Sequence, residues 1–166
     1  MKIVYIDSQN IHQGLLQYHG WIIDWKNFYV YLNEKYEVDK VKIFFGYLKS
    51  QKGFYQKLKN IGYEVCFKET LVLPNGNIKG NVDIDIAIFA LKDFYENSVS
   101  QAFLVTGDGD FNSLVYFWIE KEIFGKVIIP GVKNSSVLLK RVAKNNILDL
   151  AELKIKLKKE KLSNKT

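Results

Sequence analysis

Short apolar runs alternate with segments of helical periodicity along most of the chain, and this alternation restricts the fold more than any other feature of the sequence. The apolar runs predict buried strands over residues 2–6, 40–48, 63–68, 101–106 and 125–130. Apolar residues at helical spacing predict helices over residues 24–36, 51–61, 81–95, 111–124 and 137–144. Strands that alternate with helices of these lengths form a parallel sheet with helices on both faces, so the sequence predicts an α/β fold.

Two stretches between these elements are less regular. The residues after Asp7 fit either a loop or a helix, and the pattern leaves that choice open. Turn-forming residues over 73–77 predict a surface loop or a hairpin tip.

Acidic residues lie in three segments, each at a junction between a predicted strand and a predicted helix. Asp7 ends the first strand, Asp83 and Asp85 open the helix over 81–95, and Asp108 and Asp110 follow the fourth strand. Because the carboxyl ends of parallel strands meet at one edge of the sheet, we expect these side chains to converge there. Carboxylates gathered in one place repel each other unless a cation neutralises them, and Mg²⁺ or Mn²⁺ is the usual partner of oxygen ligands. The pattern therefore predicts a metal-dependent enzyme that acts on phosphate esters.

Each acid also has a simpler interpretation when it is taken alone. Asp7 and Asp83 are placed to cap helices, and an Asp-Gly-Asp turn such as 108–110 is common without any metal. Asp85 points about 200° away from Asp83 around a helix, so both cannot face the same ion equally well. We therefore expect Asp83 to be the ligand and Asp85 to support it or to face solvent.

The formal charge of +6 points to a polyanionic partner, because the basic residues must lie outside the acidic site. A basic protein without such a partner is the simpler alternative. Arg141 is the one arginine among 24 basic residues. The lysine ammonium group contacts phosphate but lacks the planar guanidinium with which arginine forms paired hydrogen bonds to a base. We therefore do not expect sequence-specific recognition.

Cysteine usage and hydropathy indicate the compartment. Cys66 is the sole cysteine, which excludes an internal disulfide and a cysteine-based zinc site. No apolar stretch approaches the length of about 18 residues that spans a membrane, and Asp7 interrupts the N-terminal apolar run early. We expect a cytoplasmic protein that is not bound to membranes.

The chain of 166 residues is long enough to bury one core without a disulfide or metal staple. We expect a single domain over residues 1–150 and a basic tail over 151–166 that is helical or partly disordered. The pattern leaves open whether the tail only improves solubility or binds nucleic acid. The oligomeric state is also open, with a homodimer as one option.

The acidic motifs together resemble a known family. Ile6-Asp7-Ser8-Gln9-Asn10, Lys79-Gly80-Asn81-Val82-Asp83 and Thr106-Gly107-Asp108-Gly109-Asp110-Phe111 are similar to motifs of the NYN-domain (LabA-like) family within the PIN-like nuclease superfamily. The resemblance extends from residue 2 to about residue 150. It implies a Rossmann-like three-layer domain with a parallel sheet of order 3-2-1-4-5. It also implies nuclease activity, with RNA preferred over DNA as the substrate.

The resemblance assigns roles to individual residues. It implies that Asp7, Asp83 and Asp108 are catalytic metal ligands, that Asp110 is a further catalytic acid, and that Asn10 positions metal or phosphate.

Three further residues complete the predicted site. Lys79, which lies close to Asp83, is a candidate for holding substrate phosphate, and Ser135 is another. Thr106, like Asp85, is expected to support the site from outside it.

One part of the sequence departs from the family. Related chains carry an Ala-Asp pair near their end, whereas Ala143 is followed here by Lys144. This puts the phosphate role of Ser135 in question but leaves the acids intact. The alternative function is a nucleic-acid-binding or regulatory module whose centre binds metal without hydrolysis.

Overall fold

The computed structural model describes residues 1–69, 71–72, 74, 78–79 and 81–160, with the backbone alone for 71, 72, 78 and 79. The strands are β1 (Lys2–Asp7), β2 (Lys40–Gly46), β3 (Glu64–Lys68), β4 (Leu71–Val72), β5 (Ile78–Lys79), β6 (Gln101–Val105), β7 (Phe124–Ile129) and β8 (Ile147–Asp149). The α-helices are α1 (Ser8–His19), α2 (Trp25–Tyr36), α3 (Lys52–Ile61), α4 (Asp83–Glu96), α5 (Asn112–Glu120), α6 (Val137–Ala143) and α7 (Lys154–Leu157).

The main sheet has the order β3-β2-β1-β6-β7-β8, and every neighbouring pair in it is parallel. The predicted order 3-2-1-4-5 is confirmed, because β6 and β7 are the fourth and fifth strands of that prediction. The short strand β8 extends the sheet beside β7 and was not predicted. The order reverses between β1 and β6, and ligands of open α/β sheets bind beyond the carboxyl ends of the strands at such a point.

Helices cover both faces of the sheet, which confirms the three-layer α/β architecture. On one face α4, α5 and α6 pack on a core that includes Tyr5 and Trp118. On the other face α1, α2 and α3 pack on a core that includes Ile6 and Phe28. Consecutive residues of β1 therefore point into different cores, as is expected for a central strand of a parallel sheet.

The structure settles one open helix and corrects the end of another. The segment after Asp7 is the helix α1, and the Asp7 side chain caps it. The helix predicted over 111–124 ends earlier, at Glu120, so its predicted end was wrong. Glu122 has a φ of 57°, a left-handed conformation that is incompatible with continuing the helix.

The two-stranded antiparallel sheet of β4 and β5 forms a hairpin, with Leu71 opposite Lys79. Most of the predicted turn over 73–77 lies outside the described residues, although Pro74 within it is exposed.

The predicted tail over 151–166 includes the short helix α7 (Lys154–Leu157). Leu157 in α7 is 1% exposed, and its carbonyl accepts a hydrogen bond from the Asp24 N–H at the start of α2. Ile155 is fully exposed, so α7 is held by one side of its single turn. Residues 161–166 of the predicted tail lie outside the described residues. No helix in the described parts of the chain has the length and hydropathy needed to cross a membrane.

A buried ion pair ties α4 to the sheet at the end away from Asp83. The Lys42 Nζ on β2 lies 2.8 Å from Asp93 Oδ2 on α4. The Tyr5 hydroxyl on β1 donates to the same carboxylate at 2.9 Å. Asp93 and Lys42 are 3% and 5% exposed, so their charges are almost completely removed from water.

Candidate functional site

Asp7 is the last residue of the central strand β1 and lies at its carboxyl end. Its Oδ1 accepts a hydrogen bond from the Asn10 N–H at 3.1 Å, and its Oδ2 accepts one from the Thr106 hydroxyl at 3.2 Å. The pKa of Asp7 is raised to about 6, first by burial and then by the negative charges of Asp83 and Asp108, against the lowering effect of the two hydrogen bonds. The carboxylate is therefore buried and lies within the field of the other acids.

The turn after β6 carries Asp108 and is held from both sides. Thr106 is fully buried, and its hydroxyl oxygen accepts the Asp108 N–H at 3.2 Å. Asn10 Oδ1 accepts the Gly107 N–H at 2.7 Å. Asp108 Oδ1 in turn accepts the Asp110 N–H at 2.9 Å, which caps the short 3₁₀ turn Gly109–Phe111. The first turn of α1 and the turn after β6 thus form one rigid unit.

Asp83 reaches the same place from the first turn of α4. The Asn81 side chain accepts the Asp83 N–H at 2.9 Å and fixes the start of the helix. Burial raises the pKa of Asp83, the hydrogen bond with Asn81 lowers it, and the charges of Asp108 and Asp110 raise it again. The positive end of the α4 dipole also favours a negative group at this position.

Carboxylate oxygens of Asp83, Asp108 and Asp110 lie within 4.8 Å of one another. Residues from α4 and from the turn after β6 therefore converge as the sequence analysis expected. Asp7 is not part of this close group, although the charges of Asp83 and Asp108 act on its carboxylate. The role of Asp7 as a metal ligand stays a prediction.

The group has the chemistry of a divalent-cation site. It consists of carboxylate oxygens, which are the ligands that Mg²⁺ and Mn²⁺ prefer. The pKa values of Asp83 and of the neighbouring Asp7 are raised from the ordinary range, first by burial and then by the other acids. A bound cation would relieve that unfavourable energy, so the residues present fit such an ion.

Asp85 has a different environment from Asp83. The Lys68 Nζ at the end of β3 donates to Asp85 Oδ1 at 3.1 Å, and both side chains are partly exposed. This pair links the edge of the sheet to the start of α4 beside the acidic group. A supporting role for Asp85 stays a prediction that agrees with this position.

Ser135 packs beneath the turn that carries Asp108. It is 7% exposed, and its hydroxyl donates to the Gly131 carbonyl at 2.7 Å. A Cβ on Gly107 would lie 2.6 Å from Ser135 Oγ, and a Cβ on Gly109 would collide with Ser136. Neither glycine has a positive φ, so the turn does not need glycine for an unusual backbone conformation. Both glycines instead allow Ser135 and Ser136 to approach the backbone closely. The phosphate-binding role of Ser135 stays a prediction, and the side chain of Lys79 lies outside the described residues.

Two residues that the sequence analysis did not single out contribute to the site. Asn81 lies just before α4, and its side chain accepts the Asp83 N–H at 2.9 Å, a local turn that asparagine commonly forms with the residue two positions on. Lys68 pairs with Asp85 across 17 positions, for which the sequence carries no local signal.

Comparisons with known proteins identify the family and a similar fold. The family model described as NYN domain matches residues 2–150. A crystal structure of a protein of unknown function from Vibrio parahaemolyticus is similar to this chain, with a TM-score of 0.74 and 25% identity over 90% of this chain and 91% of that chain. No curated protein matches the chain significantly. The more specific LabA-like resemblance stays a prediction.

Proposed function

The chain belongs to the NYN domain family, and from this membership we propose that it is a metal-dependent nuclease that hydrolyses phosphodiester bonds, with RNA as its preferred substrate. The family lies within the PIN-like nucleases, so nuclease chemistry is the expected activity. The observation that carries the proposal is the convergence of the Asp83, Asp108 and Asp110 oxygens within 4.8 Å at the carboxyl edge of the sheet.

In the proposed site Asp7, Asp83 and Asp108 would hold one or two Mg²⁺ or Mn²⁺ ions. Asp110 would join them, because one of its oxygens lies within 4.8 Å of oxygens of Asp83 and Asp108. A divalent ion held there supplies positive charge that stabilises the attacking and leaving oxygens of a phosphodiester. Thr106 and Asn10 keep the Asp108 turn in place through hydrogen bonds to its backbone. Because these bonds are made by buried or half-buried groups, the carboxylates are positioned before any ligand arrives.

The charge of the chain supports a nucleic acid as substrate. A net charge of +6 coexists with the acidic group, so the remaining surface attracts polyanions. The preference for RNA over DNA rests on the family resemblance alone. A reducing cytoplasm is the proposed location, supported by the single cysteine, Cys66, which is buried and free.

The decisive experiment compares cleavage of end-labelled single-stranded RNA and DNA of the same sequence in Mn²⁺, Mg²⁺ or EDTA. We expect RNA cleavage that requires the metal and that is lost in Asp108→Asn. Asp24→Asn is the matched control, because Asp24 also caps a helical turn but is not part of the acidic group.

The outcomes separate the candidate functions. Cleavage that persists in EDTA would remove the metal mechanism. RNA binding without cleavage by the parent protein, retained or strengthened in Asp108→Asn, would instead identify a binding or regulatory module. Faster cleavage of DNA than of RNA would reverse the proposed substrate preference.

A further inference from the structure

An apolar stripe runs along α4 on the side that faces solvent. Its members are large apolar residues with exposed fractions of 67%, 54%, 37% and 72%, namely Ile84, Ile88, Leu91 and Tyr95. At about 100° per residue, their successive spacings place all of them within roughly 60° of one another around the helix. The α4 stripe therefore forms a continuous ridge along the helix.

The α4 stripe is not part of the protein core. Ile86 and Ala90, on the opposite side of the helix, are 0% and 1% exposed and fill the core. A helix that covers a sheet ordinarily carries polar residues on its outer side. Here the outer side is apolar over the length of the helix, so burial within this domain does not explain it.

Charged residues border the α4 stripe along one edge. Asp85 pairs with Lys68 at 3.1 Å, and Lys92 pairs with Glu96 at 3.9 Å. An exposed apolar patch with a charged rim is typical of a surface that binds another protein. The rim ions already have partners within the same chain, so they do not need compensating charges from outside.

We propose that the α4 stripe is the interface of a homodimer, in which it packs against the same stripe of a second copy. A symmetric dimer needs a surface that is complementary to itself. An apolar ridge whose residues are spaced alternately three and four apart meets this need, because two such helices pack side by side. From the exposed fractions, each stripe presents roughly 500 Å², so complete burial of both stripes would remove about 1,000 Å² from water, which is the lower limit for a specific interface. An interface of this size lies at the low end of the range for specific complexes, so we expect a weak dimer.

The acids at the start of α4 determine the direction of pairing. Asp83 and Asp85 lie in the first turn of α4, and Asp108 and Asp110 lie beside it. A parallel pair would bring two acidic groups together, whereas an antiparallel pair places them at opposite ends of the helix, roughly 20 Å apart. In the antiparallel dimer, Ile84 of one copy faces Tyr95 of the other.

Sedimentation of the full chain at concentrations from about 1 µM to about 100 µM tests the dimer. We expect the parent protein to dimerise and Ile88→Glu to weaken the dimer at least tenfold, because it buries two charges at the centre of the stripe. Val30→Glu is the matched control, because Val30 is a 43% exposed aliphatic residue on α2. A parent protein that remains monomeric at about 100 µM would overturn the proposal, as would equal dissociation by both variants.

Disulfide trapping tests the pairing directly and does not depend on the folding of Ile88→Glu. The variant Ile84→Cys with Tyr95→Cys should form a covalent dimer on mild oxidation, whereas Ile84→Cys alone should not. The two sites lie about 16 Å apart on one helix, so they cannot bridge within a chain. Burial, followed by the charge of Glu64, raises the pKa of Cys66 to about 12, which keeps the native thiol unreactive.

Either of two results would contradict the proposed pairing: equal trapping by the single and double cysteine variants, or no trapping by either. The dimer is independent of the nuclease proposal, because a monomeric protein that cleaves RNA overturns the dimer alone.

Discussion

The Thr106 hydroxyl donates to Asp7 Oδ2 at 3.2 Å, although the two residues are 99 positions apart in the chain. The same hydroxyl oxygen accepts the Asp108 N–H at 3.2 Å. One buried side chain thus connects the carboxyl ends of the neighbouring strands β1 and β6, and with them two of the acids that define the site.

Thr106→Val tests this connection, because valine has a similar shape but no hydroxyl. The Asp108 N–H and an Asp7 oxygen would lose a buried partner, which we expect to lower the free energy of unfolding by about 1–3 kcal/mol. Urea denaturation measures the loss, and calorimetric titration with Mn²⁺ should show weaker binding because Asp108 is less well held. Thr106→Ser keeps the hydroxyl and should remain close to the parent. Equal behaviour of the two variants would argue against a role for the hydroxyl.

Asp7→Asn should stabilise the metal-free protein at neutral pH. Burial raises the pKa of Asp7 from 3.8 to about 6, so above that pH the folded state carries a buried charge that the unfolded chain exposes to water. Asparagine caps helices as well as aspartate does, and it carries no charge. From the size of the pKa shift we expect a gain of about 2–3 kcal/mol at pH 7.5 in EDTA.

The pH dependence of this gain has a definite sign. The raised pKa means that protonation of Asp7 favours the folded state, so the penalty removed by Asp7→Asn is complete above pH 6 and disappears below pH 3.8. Urea denaturation of both proteins across this range should therefore converge as the pH falls. Asp24→Asn, which also alters a helix cap, should show no comparable gain. A loss of stability in Asp7→Asn at pH 7.5 would contradict the argument.

The sequence predicted the sheet well because the information was local. Each strand and helix carries its own periodicity, and parallel strands bring Asp7 and Asp108 to one edge whatever their separation in the chain. The end of α5 could not be predicted, since Glu122 adopts a left-handed conformation for which glutamate gives no signal. The strand β8 has three residues, which is too short for a periodic pattern to be seen.

The convergence of Asp83 and Asp108 at one edge of the sheet could be predicted from the sequence, but the detailed geometry of the acidic group could not. Which oxygens approach each other depends on hydrogen bonds between distant residues, such as Asn10 with Gly107 across 97 positions. It also depends on the 3₁₀ turn Gly109–Phe111, which places Asp110 close to Asp83 and Asp108. The Asp-Gly-Asp pattern predicts a turn at 108–110, but neither the Asn10 contact nor the approach of Asp110 to Asp83 leaves a local pattern in the sequence.

Lys42→Met should strongly destabilise the protein through Asp93. Burial lowers the pKa of Lys42, but the hydrogen bond and charge of Asp93 outweigh this, so the pKa is raised and the ion pair is intact. Removing the lysine leaves a carboxylate that is 3% exposed without its counter-ion, which we expect to cost about 3–5 kcal/mol in urea denaturation. Adding Asp93→Asn should recover much of the loss, because the uncompensated charge is then gone.

Lys92→Met is the matched control for this prediction. Lys92 and Glu96 are 3.9 Å apart with side chains that are 62% and 58% exposed. Solvent screens such a pair, so its loss should change stability by less than about 1 kcal/mol. Similar losses in Lys42→Met and Lys92→Met would show that the buried pair does not anchor α4.

Gly107→Ala tests whether the turn that carries Asp108 depends on close packing. The new Cβ would lie 2.6 Å from Ser135 Oγ and 3.2 Å from Pro130 Cδ. Ser135 is buried and its hydroxyl donates to the Gly131 carbonyl, so it cannot move aside without losing that bond. We expect a loss of about 1–3 kcal/mol in urea denaturation and slower RNA cleavage, since the Asp108 turn must shift. Gly53→Ala in α3 meets no atom within 4 Å and should instead stabilise the helix by about 0.5–1 kcal/mol. Increased stability in both alanine variants would contradict this prediction. It would show that the turn can accommodate a Cβ and that its contact with Ser135 does not require glycine at position 107.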